Sequence, residues 1–168
     1  MHEQLGFSIG ETPAAIPAAR RYSIPRYTIS LVRDSKISAP IAQIRSSRDA
    51  RDLLTLYLGD TDREHFVVLL LDQKNKLIGI HTVSTGSLSA SVVHPREVFK
   101  ACILSNAAAF VAGHNHPSGD PQPSREDRAL TTRLHDAGKL LGIAMLDHVI
   151  IGDGTETYFS FADEGLLP

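Results

Sequence analysis

The stretch Ala107-Ala-Ala-Phe-Val-Ala-Gly113, followed by His114-Asn-His116-Pro-Ser-Gly-Asp120-Pro-Gln-Pro-Ser124-Arg-Glu-Asp127, decides how this chain is read. The apolar run reads as a helix end passing into a buried strand. On a strand, residues i and i+2 face the same side. His114 and His116 can therefore reach one metal ion. After a stiff Pro/Gly loop, Ser124-Arg-Glu-Asp127 fits a helix N-cap, with an acid at the third helical position near the positive end of the dipole. A cap there fixes the Asp127 backbone and aims its carboxylate, so Asp127 is a candidate third ligand. Three protein ligands leave a fourth position open, as in catalytic rather than structural zinc sites. The plainer reading is two exposed histidines beside an ordinary capped helix.

Working outward, strands and helices alternate. Arg48 to Leu58 has apolar residues at 50, 53, 54, 57 and 58, which is helical spacing, and Ser46 or Ser47 offers a cap. Glu64-His-Phe-Val-Val-Leu-Leu-Leu71 follows Gly59 and a short charged turn, and reads as a buried strand. The pattern predicts helix 47–58, strand 65–72, strand 76–85, helix 95–109, strand 110–115, helix 125–141, strand 143–151 and strand 156–160. In the helix after Ser124, Leu130, Leu134, Ala137 and Leu141 form one apolar stripe. Arg26 to Arg33 alternates and is expected as a further strand. Short links between alternating elements suit a mixed sheet covered by helices, an α/β class. Residues 1–25, rich in Ala, Pro and Gly, are expected to be a flexible arm. Residues 26–45 are expected as a strand and linker, and 46–168 as the metal-binding domain.

With 168 residues, 42% of them hydrophobic, the chain can bury one core. No apolar run approaches membrane-spanning length, and the N-terminus lacks a signal-peptide core. These features predict no membrane association and a cytoplasmic location. Cys102 is the single cysteine, which excludes an internal disulfide, and its apolar surroundings make it a buried hydrophobe rather than a nucleophile.

The pattern His114-x-His116, seven residues, Ser124, two residues, Asp127 resembles the JAMM (MPN-plus, JAB) metalloprotease motif. Pro95-Arg-Glu-Val98, Asn106-Ala-Ala-Ala109, His114 to Asp120, Asp147-His148 and Tyr158-Phe-Ser-Phe161 resemble one branch of it, the RadC family. The resemblance covers about residues 26–168. It implies a cytidine-deaminase-like three-layer α-β-α fold. It also implies one zinc ion on His114, His116 and Asp127, which lowers the pKa of bound water and polarises a scissile carbonyl. A base Glu lies between the first helix and the following strand of that fold. Glu64 occupies this place and is expected to move the water proton to the leaving amine. Glu97 competes, but at the start of a helix opened by Pro95 its ordinary role is to complement the dipole. Ser124 is expected to hydrogen-bond the oxyanion or the metal's water, or to act only as the cap. Asp147 and His148 are expected behind the ligands or, equally, as a hydrogen-bonded strand pair.

A metallo-β-lactamase pattern would need Asp and His at Ser118 and Gly119, and a helical His-Glu-x-x-His is absent. His65 and His81 are expected to be structural, His94 to shape a helix start, and His135 to face solvent. The RadC name carries an association with DNA repair, and relatives carry an N-terminal helix-hairpin-helix that residues 1–45 do not show. Arg20, Arg21, Arg26, Arg33 and Lys36 could touch phosphate, but a net charge of −2 argues against a strong nucleic-acid footprint. Three functions remain: a zinc-dependent peptidase or isopeptidase-like hydrolase acting on a peptide or protein, a metal-dependent nuclease or DNA-binding factor, and a zinc-stabilised interaction module without turnover. No insertion suited to gripping ubiquitin is visible after Asp127. The sequence leaves the oligomeric state open.

Overall fold

In the computed structural model, residues 23–59, 61, 63–86 and 93–168 are described. The element order is α1 (Ser47–Leu58), β1 (His65–Leu71), β2 (Leu77–Thr85), α2 (Pro95–Leu104), β3 (Ala109–His116), α3 (Arg125–Leu141), β4 (Ala144–Gly152) and β5 (Tyr158–Ser160). The five strands form one mixed sheet in the order β2-β1-β3-β4-β5. Only the β3–β4 pair is parallel, and α3 makes the crossover that a parallel pair requires. The β1–β2, β1–β3 and β4–β5 pairs are antiparallel.

Strand alternation divides the core into two halves. Val67, Leu69, Leu71, Val111 and Val149 point to one face, where they pack against Ala50, Leu53, Leu54 and Leu58 of α1. Phe66, Val68, Leu70, Phe110, Ala112 and Met145 point to the other, against Val98, Phe99 and Cys102 of α2 and Leu130 and Leu134 of α3. Helices on both faces of one sheet make three α-β-α layers, as the family resemblance implied. β3 is covered on both sides, so its apolar run is continuous rather than alternating. Gly113 lets α1 pack closely there, because a Cβ would lie 2.5 Å from a Leu54 methyl and force that side chain to move. Cys102 is fully buried, and burial pushes its thiol up to about 12.

Three expectations fail. Residues 26–33 form no strand: Tyr27, Ile29 and Val32 are exposed, and among the described residues the isolated bridge of this segment is Gln43 to Lys76. Alternation names two faces of a strand but supplies no partner for its backbone. Helix α2 ends at Leu104, not at 109. Asn106 takes φ 55°, and the Ala107 amide donates to the Cys102 carbonyl, a Schellman-type stop that the helix-forming alanines after it cannot override. His135 is buried rather than solvated, on the same side of α3 as Thr131. The expected arm over residues 1–25 lies, up to residue 22, outside the described residues.

Candidate metal centre

β3 carries the paired histidines to the end of the sheet, on the face covered by α3. The β1–β3 register pairs Phe66 with His114. Continued by two residues, it sets Glu64 across from His116. The ladder stops before that point, and the side chain of Asn115 takes over. Its Oδ1 accepts from the His65 amide at 2.8 Å, while its Nδ2 donates to the Arg63 carbonyl at 3.1 Å and to Asp153 Oδ2 at 2.7 Å. One fully buried carboxamide thus grips the backbone on both sides of Glu64. Sequence reading treated Asn115 as a spacer. A buried amide in an otherwise apolar strand was the available signal.

Asp127 enters from the first turn of α3. Ser124 caps this helix in a full capping box: its Oγ accepts from the Asp127 amide and donates to Asp127 Oδ2 at 2.6 Å, and its own amide donates to Oδ2 at 2.8 Å. With Oδ2 held, Oδ1 is turned to His114 Nε2, 3.4 Å away. His116 Nε2 lies 3.0 Å from His114 Nε2 and 3.7 Å from Asp127 Oδ2, and Glu64 Oε1 lies 3.7 Å from His114 Nε2. Ligand atoms of Glu64, His114 and His116 all fall within 4.8 Å of one another. Glu97 is elsewhere, paired with Lys100 and Arg96 on the surface of α2. His94 Nδ1 accepts from the Arg96 amide and so caps α2.

Two different environments meet here. His114 is fully buried between Phe66 and the other rings, with Nδ1 2.9 Å from His148 Nε2. Burial, then the neighbouring His148, holds its pKa well below the usual value. His116 reaches solvent, and its Nδ1 donates to the Asp120 carbonyl at 2.7 Å. Its pKa is raised, first by the Asp127 carboxylate beside it. Burial alone would raise Asp127, but the His116 imidazole, the neighbouring His114 and the Ser124 donors draw it well below the usual carboxylate range. The loop after His116 is set by Gly119 at φ 80°, whose carbonyl packs on Gly152 so closely that a Cβ there would lie 2.2 Å from it.

His148, from β4, stands behind His114 between Phe66 and Phe161, and burial pushes it down to about 4. Its Nδ1 is 2.7 Å from the hydroxyl of Thr131, a residue not singled out in the sequence although it lies one helical turn from Asp127. Asp147 faces the C-terminal turn, where it accepts from Ser160 Oγ and the Ala162 amide.

The donor set fits a divalent cation. Zinc–ligand bonds of about 2.0–2.1 Å place tetrahedral ligand atoms roughly 3.3 Å apart. His114 Nε2 lies 3.0 Å from His116 Nε2 and 3.4 Å from Asp127 Oδ1, on either side of that value. The group can hold a metal ion.

Comparison with known proteins agrees. Residues 44–166 match the family model of the RadC-like JAB domain. A UPF0758 protein of Rubrobacter xylanophilus is 47% identical over 154 residues, covering 92% of this chain and 62% of its own length. One from Methanococcoides burtonii is 49% identical over 128 residues, with 76% and 55% coverage. One from Trichlorobacter lovleyi is 56% identical over 110 residues, with 66% and 47% coverage. The chain thus spans about half to three-fifths of the length of these relatives.

Proposed function

The chain belongs to the RadC family of JAB-domain proteins, and from that membership we propose that it is a zinc-dependent hydrolase of amide bonds in a peptide or protein. One observation carries the reading. Glu64, His114 and His116 converge within 4.8 Å at the end of a buried strand, with Asp127 against both imidazoles. A cation held only for structure has no need of a further carboxylate beside its ligands.

In this reading His114 Nε2, His116 Nε2 and Asp127 Oδ1 hold the metal, since Oδ2 is already committed to the Ser124 donors. Two imidazoles and a carboxylate suit zinc. When bound, the metal supplies Lewis acidity that makes water a nucleophile at neutral pH and polarises a carbonyl. Glu64 is the proton carrier. Its carboxylate takes the proton of the attacking water and releases it to the departing amine. Asn115 keeps the Glu64 backbone in place while this happens. Ser124 orients Asp127 and, with its hydroxyl proton on Oδ2, acts on the metal through that residue.

The test is metal content and affinity of protein purified without a histidine tag, beside His114→Ala, Asp127→Ala and Glu64→Gln. The expected result is one zinc per chain, lost in the first two variants and kept in the third. Cleavage of a peptide library by the wild type and not by Glu64→Gln would then establish the chemistry. Zinc that survives loss of both His114 and Asp127 would overturn the site, and loss of zinc in Glu64→Gln would make Glu64 a ligand rather than the base.

A further inference from the structure

Behind the metal centre runs a line of hydrogen bonds with a single proton per link. The Thr131 hydroxyl lies 2.7 Å from the Asp127 carbonyl and 2.7 Å from His148 Nδ1. His148 Nε2 lies 2.9 Å from His114 Nδ1. His114 Nε2 then faces His116, Asp127 and Glu64. Thr131, His148 and His114 are buried, with His148 packed between two phenylalanine rings.

A hydroxyl has one proton and a neutral imidazole has one N–H. The whole line therefore has two possible polarities. If Thr131 donates to the Asp127 carbonyl, it can only accept from His148 Nδ1–H. His148 Nε2 is then bare and accepts from His114 Nδ1–H, which leaves a lone pair on His114 Nε2. If Thr131 instead donates to His148, every link reverses and His114 Nε2 carries a hydrogen, which closes it to a cation.

We propose that Thr131, acting through His148, is the positioning residue that fixes His114 in the tautomer able to bind metal. The proposal rests on the metal-centre reading above. Its geometry is economical, because Asp127 supplies both ends: its backbone carbonyl takes the Thr131 proton and its carboxylate stands in the site that the resulting lone pair faces. The hydroxyl bond from Thr131 to a carbonyl one turn earlier is a local pattern of threonine in helices, so α3 itself favours this polarity.

Two variants separate the hydroxyl from the packing: Thr131→Val keeps the branched shape without the proton, and Thr131→Ser keeps the proton. Zinc affinity is measured by chelator competition, and the histidine tautomers by long-range ¹⁵N–¹H spectra of the metal-free protein. The expectation is that Thr131→Val weakens zinc binding by about 10–100-fold and that His114 becomes a tautomer mixture, while Thr131→Ser keeps wild-type behaviour on both counts. Wild-type affinity and a single Nδ1–H tautomer in Thr131→Val would overturn the proposal. So would equal losses in the two variants, which would make the effect one of packing. If wild-type protein bound no zinc, the metal reading would fail, yet the tautomer spectra would still decide the relay.

Discussion

His114 and His116 lie two residues apart on one strand, yet the two sides of the centre are built from different materials. The inner side, around His114, is part of the core: fully buried rings from β1, β3 and β4, backed by α3. The outer side, around His116, is a turn, with the imidazole held by the Asp120 carbonyl and the turn held by the fit of Gly119 against Gly152. In the proposed metal site, an inner residue would serve the fold and the metal together, and an outer residue the metal almost alone.

The strongest way to break this comparison is to delete each ring in turn. His114→Ala should abolish zinc binding and also destabilise the metal-free protein by about 2–4 kcal/mol. It leaves a cavity against Phe66 and orphans the ring nitrogen of His148. His116→Ala should cost comparable zinc affinity, with less than about 1 kcal/mol in metal-free stability. Zinc titration and denaturant unfolding of chelator-treated protein check both. Equal destabilisation by the two would mean that the turn is as much a part of the core as the strand.

A second pair works through glycines. A Cβ at Gly152 meets the Gly119 carbonyl, backbone that cannot rotate away, so Gly152→Ala should push the turn outward and lower zinc affinity by about tenfold while the core helices stay in place. A Cβ at Gly113, beside His114 but on the opposite face, meets the Leu54 side chain of α1. Gly113→Ala should therefore cost about 1–3 kcal/mol of stability and leave zinc affinity within a few-fold of wild type. The reverse assignment of the two effects would show that the turn after β3 and the α1 face of the sheet are mechanically coupled.

The same contrast explains what could be read from the chain. His-x-His on a strand and Ser-x-x-Asp at a helix start are local patterns, so fixed backbone periods carry them from sequence to space. Glu64 needed the resemblance, because only the β1–β3 register brings it to His116. Thr131 and Asn115 act on partners 17 and 50 residues away, and no local period marks a residue for such a partner. Residues 26–33 show the converse, an alternating pattern with no neighbouring strand among the described residues to complete it.

Ser124 links the two sides, since it holds the carboxylate that touches both rings. Ser124→Ala should lower stability by about 1 kcal/mol through loss of the cap. It should also weaken zinc binding only a few-fold, because the Ser124 amide still holds Asp127 Oδ2. A thermal melt with and without zinc separates the two losses. Affinity reduced as far as in Asp127→Ala would assign the hydroxyl a direct part at the metal.

The smallest effect is a pH window in the metal-free protein. Asp127 is held below its usual value of 3.8, so its contribution is present above that pH and is lost as pH falls further. His116 is raised above 6.5, so its contribution is complete below that pH and is lost as pH rises through its folded value. The two overlap between about pH 4 and 6.5, where Asp127 is charged and His116 is protonated in both folded and unfolded chains. The melting-temperature difference between wild type and Asp127→Asn should peak in that window, by about 1–2 °C, and shrink on either side. His114 cannot produce this profile, because burial keeps it uncharged and a proton gained there would oppose folding. A difference that stayed level as pH rose past the folded value of His116 would show that Asp127 does not depend on the charge of the outer ring, and would remove this support for dividing the centre into core and turn.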